Sequence, residues 1–121
     1  MKTLQVSWMK NSGEKVILAR EVALADSFFT RAKGLLGRSF LPPDKGLLIR
    51  PCNSIHTFFM QFAIDVIFLS KTAEVIKIWR NLPAGRLLWP NWSTYQVLEL
   101  AAHVIPADLP AKARLDLCIN S

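Results

Sequence analysis

Ala63 to Ser70 reads Ala-Ile-Asp-Val-Ile-Phe-Leu-Ser, an apolar run of strand length with one carboxylate set inside it. A run that is apolar on both faces belongs to a strand covered on both sides, so it predicts a central strand of a sheet. Asp65 tightens that constraint, because a carboxylate removed from water must meet hydrogen-bond donors or a cation. The sequence offers His56, Arg31 and Arg38 as side-chain partners. The preferred reading has Asp65 accept backbone N–H bonds at the strand start and pin the loop before it.

The remaining segments supply neighbours for such a strand. Leu4-Gln-Val-Ser-Trp8 alternates, Asn11-Ser-Gly13 is turn chemistry, and Lys15-Val-Ile-Leu-Ala-Arg20 completes an N-terminal hairpin. Gly46-Leu-Leu-Ile-Arg50 is a short apolar strand, and Glu74-Val-Ile-Lys-Ile-Trp79 is the hairpin partner of the central run. Tyr95 to Leu100 adds another strand, and Arg114 to Cys118 closes the sheet. Asp26 or Ser27 caps a short helix expected over Phe28 to Leu36, with Gly37 ending it. Leu82 to Ser93, with two prolines and a glycine, reads as a long loop. Short strands with one or two short helices predict a mainly β fold, a small sandwich or barrel-like domain.

Composition narrows the class. With 121 residues, half of them apolar and a fifth charged, residues 1–121 suit one domain with one core. The longest apolar runs fall far short of a membrane span, and the first eight residues lack the apolar core of a secretory signal. The expectation is a cytoplasmic protein without a membrane partner. Two cysteines, Cys52 and Cys118, are then reduced thiols. Cys52, His56, His103 and Cys118 lack the close paired spacing of a zinc site, so no metal or cofactor is expected. The net charge of +6 is dispersed from Lys2 to Arg114 and reads first as a solvated basic surface.

Several motifs occur in order: Arg31-Ala-Lys-Gly-Leu-Leu-Gly-Arg38, Gly46-Leu-Leu-Ile49, Pro51-Cys52, Ser54-Ile-His-Thr-Phe-Phe-Met60, Ile64-Asp-Val-Ile-Phe68 and Val97-Leu-Glu-Leu100. Together they resemble the bacterial and archaeal family known as domain of unknown function 192, over about residues 20–118. The resemblance implies a small, mainly β fold and carries no established activity. It departs from the family pattern after Leu100, where Ala101-Ala-His103 replaces a small residue and glycine.

The chemistry-bearing groups support three readings. In the first, His56, Thr57 and Asp65 build a polar pocket, Arg31 and Arg38 supply anion contacts, and Glu99 adds a second carboxylate. This describes a small-molecule or glycan-binding module whose partner is a small molecule or an anionic ligand. In the second, the basic charge and the Trp79, Trp89 and Trp92 loop serve a nucleic-acid-associated protein, although a buried lid over the barrel mouth is the preferred reading of those tryptophans. In the third, a hydrolase-like enzyme uses His56 as acid–base with Asp65 orienting it. Asp65 and Glu99 would make an acid–base pair only if they face each other. No G-x-S-x-G elbow surrounds any serine, and no catalytic residue is assigned. Gly34-Leu-Leu-Gly37 is a G-x-x-G sequence, read as helix punctuation in preference to a backbone-gripping loop.

Overall fold

Nine strands account for the described structure, a computed structural model covering residues 2–27, 35 and 38–121. They are β1 (Thr3–Met9), β2 (Lys15–Ala25), β3 (Lys45–Ile49), β4 (Ile55–His56) and β5 (Ile64–Leu69). β6 (Val75–Leu82), β7 (Leu87–Leu88), β8 (Gln96–Ala101) and β9 (Leu115–Ile119) follow. Seven form one sheet in the order β6-β5-β8-β3-β2-β1-β9, and β4 pairs with β7 as a separate two-stranded ribbon. The mainly β expectation holds, and no helix occurs among the described residues. The helix expected over Phe28 to Leu36, and Arg31 within it, lie outside the described residues except for Leu35.

The sheet curls into a half-barrel. Its two edge strands approach at one end, where Glu74 and Arg114 form a bridge and Val75 exchanges backbone hydrogen bonds with Ala113 and Lys112. All pairings are antiparallel except β2 with β3, whose 19-residue connection between Ala25 and Lys45 supplies the crossover that a parallel pair needs. All six residues of β5 are buried, as its two-sided apolar pattern predicts.

Alternation along the strands sorts the core into two layers. Val6, Leu18, Val22, Leu48, Ile67 and Leu98 belong to the inner layer, which Ile105 and Leu109 of the β8–β9 connection help to fill. Leu47, Ile49, Val66, Phe68 and Val97 belong to the outer layer, covered by Ile55 and Leu88 of the ribbon. Residues 50–62 and 82–95 therefore act as a flap over the outer face. Gly46 sits where strands approach closely: a Cβ there would stand 2.7 Å from both the Glu99 carbonyl oxygen and Leu100 Cδ2.

Candidate functional site

Asp65 lies on the inner side of β5, opposite Leu100 of β8. Its register neighbours on β6 are Ile64 with Leu82 and Val66 with Trp79, so two residues, Arg80 and Asn81, stand opposite one. This is a bulge, with Asn81 in the left-handed region at φ 52°. The Asn81 N–H freed there donates to Asp65 Oδ1 at 2.8 Å. Val104 and Ile105, just after His103 at φ 70°, both donate N–H bonds to Oδ2 at 3.1 Å. The fully buried carboxylate thus holds two irregular backbone segments. Asp65 accepts backbone N–H bonds, as the backbone reading expects, and no bond from His56 or Arg38 reaches it, while Arg31 lies outside the described residues. The segments pinned are the β6 bulge and the turn after β8, not the preceding loop.

Thr57 is likewise buried and engaged. Its Oγ1 donates to the Pro83 carbonyl at 2.7 Å and accepts from the Arg86 N–H at 2.9 Å. Its own N–H donates to the Arg86 carbonyl, and its carbonyl accepts from Gly85. These bonds fasten the two halves of the flap. In the ribbon, Ile55 faces the core with Leu88, whereas the next pair, His56 and Leu87, faces outward and is exposed. The His56 ring stacks on Phe58 with centroids 5.1 Å apart. His56, Thr57 and Asp65 therefore do not converge: one is outward on the flap, one lies inside it, and one is across the sheet.

Glu99 occupies the other face. It pairs with Val66 of β5 and Leu47 of β3, both in the outer layer, while Asp65 pairs with the inner-layer Leu100. Directly paired residues share a face and successive residues alternate, so the two carboxylates point to opposite sides of the sheet. They do not form an acid–base pair. Glu99 is 4 % exposed and its Oε1 has no hydrogen-bond partner among the described residues. Burial pushes its carboxyl up to about 7.

Arg38 is exposed near the end of the β2–β3 connection, and Arg31 is outside the described residues. The tryptophans depart from the lid reading: Trp89 is 77 % and Trp92 86 % exposed, with only Trp79 half-buried. Between β6 and the strand β7 arm lies a groove of about 300 Å³ lined by Lys77, Trp79, Leu87, Trp89 and Asn91, with Phe68 and Leu88 beneath. The Lys77 ammonium stands 5.2 Å from the Trp79 ring centroid. The sequence marks Lys77 only as one of a basic group with Arg80 and Arg86, and does not mark Asn91. The signal that joins Lys77 to the groove is the alternation Lys77-Ile78-Trp79, which puts a cation and an indole on one side of β6. Among the described residues no three metal-ligating side chains gather into a cation site.

A curled, mainly β sheet with a hydrogen-bonded flap over one face defines a small half-barrel class. Two solved structures share it: a candidate transcription regulator from Sinorhizobium meliloti and a protein of unknown function from Novosphingobium aromaticivorans. The first superposes with a TM-score of 0.78 at 21 % identity, covering 95 % of this chain and 93 % of that one. The second gives 0.77 at 20 % identity, covering 93 % and 83 %. Identities this low establish the shared fold alone. The sequence profile of domain of unknown function 192, described as an uncharacterized ACR, matches residues 7–109, and the chain belongs to that family. It is 36 % identical over 92 residues to a UPF0127 protein of Thermococcus sibiricus, covering 69 % of this chain and 56 % of the relative. To a UPF0127 protein of Pyrococcus horikoshii it is 35 % identical over 95 residues, covering 74 % and 79 %.

Proposed function

We propose that the protein is a small-molecule or glycan-binding module whose ligand lies in the groove between β6 and the strand β7 arm. The observation that carries this reading is the lining of that groove: an exposed indole, Trp89, across from Trp79 and beside an exposed ammonium, Lys77. Indole faces stack on the apolar face of a sugar or planar ring, and Lys77 and Asn91 supply polar contacts that orient it. The favoured ligand has a ring with an anionic substituent, such as a uronic acid or a sugar phosphate. The site is thereby moved from the oxygens of Thr57 and Asp65, which backbone bonds already occupy, to side chains that face solvent.

The test is a titration of intrinsic tryptophan fluorescence with neutral and acidic monosaccharides and disaccharides. A saturable change is expected for acidic sugars, weakened about tenfold or more by Trp89→Ala and about tenfold by Lys77→Met. No saturable response from any of these sugars, or a response that Trp89→Ala leaves intact, would overturn the reading.

A further inference from the structure

The outward side of the flap carries a second property, which extends beyond the groove from Leu87 and Trp89 to Phe58, Phe59 and Trp92. Phe58, Phe59, Leu87, Trp89 and Trp92 are all exposed there, Phe59 by 89 %. Among the described residues, the other large exposed apolar side chains, Met9, Ile17, Phe40 and Ile119, lie off the flap, on β1, β2, the β2–β3 connection and β9. The flap group is held together by the fold. His56 and Leu87 are cross-strand partners, Phe58 stacks on His56, and the Asn91 N–H donates to the Asn53 carbonyl beside Trp92. Phe59 projects from a residue with φ 66° in the tight turn that Thr57 closes. Clustered apolar exposure of this kind marks an interaction surface.

Its charge identifies the occupant. Residues 50–62 and 82–95 contain Arg50 and Arg86 but no aspartate or glutamate, and the adjacent β6 adds Lys77 on the groove side. Two copies of such a surface would bring like charges together, which disfavours a face-to-face dimer. A single-stranded nucleic acid would use stacking rings within a dense basic track, whereas here Phe59 and Leu87 add purely apolar side chains and the cations are few. Tryptophan, phenylalanine and leucine beside scattered arginine and lysine are the composition of a surface that sits at a bilayer interface.

We infer that the flap docks on an anionic lipid bilayer, with Phe59 and Trp92 entering the interface and Arg50 and Arg86 facing the headgroups. No helix of the described residues is long and apolar enough to cross a membrane, and surface docking requires none. The expectation of no membrane partner rested on the lack of a spanning segment and does not address this mode.

The experiment is flotation of the full chain with phosphatidylcholine vesicles, with and without phosphatidylglycerol, alongside quenching of tryptophan emission by brominated acyl chains. Binding is expected to the anionic vesicles, with quenching. Phe59→Ser combined with Trp92→Ser should lower it about tenfold or more, and Arg86→Glu should lower it several-fold, because apolar insertion and headgroup attraction act together. Met9→Ser, at the end of β1 and away from the flap, should leave it unchanged. Absence of binding to anionic vesicles overturns the inference. So does equal binding by the double variant, or a signal that appears only with an oligouridylate or through self-association. Phe59 and Trp92 do not line the groove, so the double variant keeps the sugar titration and failure of the two readings is separable.

Discussion

The two faces of the sheet each bury one carboxylate on neighbouring strands, and the fold treats them in opposite ways. Asp65, on the inner face, receives three backbone N–H bonds from a bulge and a turn. Glu99, on the outer face beside Leu47 and Val66, has an oxygen with no partner among the described residues. Burial alone does not make an acid unusual; burial without donors does. The inner face uses its carboxylate as a structural acceptor for irregular backbone. The outer face, under the flap, leaves Glu99 Oε1 without a partner among the described residues.

Removing the satisfied carboxylate should have the largest effect. Asp65→Ala strands the Asn81, Val104 and Ile105 N–H groups in the core, a loss of about 3–5 kcal/mol of stability in urea unfolding. Asp65→Asn keeps one acceptor oxygen but turns an amide N–H₂ toward a donor, so its loss should be intermediate. A cost below about 1 kcal/mol for Asp65→Ala would mean that the bulge and turn hold themselves, and the contrast between the faces would collapse.

Glu99 should show itself through pH. Its folded pKa is raised to about 7 from an ordinary 4.5, so between those values the folded state holds a proton that the unfolded chain has released. Stability therefore falls as pH rises through that interval, by on the order of 3 kcal/mol if Glu99 acts alone. Unfolding followed from pH 5 to 8 should show this decline, and Glu99→Gln should flatten it and be the more stable form at the alkaline end. A wild-type profile that rises over the same interval, unchanged by Glu99→Gln, would place a donor near Glu99 and erase the difference from Asp65.

These two residues also show what a sequence can and cannot disclose. That Ala63 to Ser70 is covered on both sides was readable, because an apolar run without alternation has few other uses. That Asp65 must be satisfied was equally readable, but its donors were not. They are backbone groups of Asn81, Val104 and Ile105, which every residue type except proline provides, so no side-chain identity announces them. The opposition of Asp65 and Glu99 depends on β5–β8 register, Val66 against Glu99, and a slip of one residue would have put both on one face. At the flap, strand β7 is two residues long, too short for its alternation to show against the loop around it. The outward turn of Leu87 therefore shows only in its pairing with β4, and that of Trp89 in its exposure.

The flap extends the contrast to smaller energies, because its adjacent residues His56 and Thr57 divide the same two roles. Thr57 Oγ1 bridges the Pro83 carbonyl and the Arg86 N–H. Thr57→Val keeps the shape and removes both bonds, for an expected loss of about 1–2 kcal/mol. Hydrogen exchange at Gly85 and Arg86 should rise with it, since their N–H groups bond to Thr57. His56 faces solvent and makes a ring contact with Phe58 on the outward side. His56→Ala should therefore shift stability by no more than about 0.5 kcal/mol. If His56→Ala proves as damaging as Thr57→Val, the outer surface of the flap is part of the core's support, and its exposed aromatic side chains need no partner to explain them.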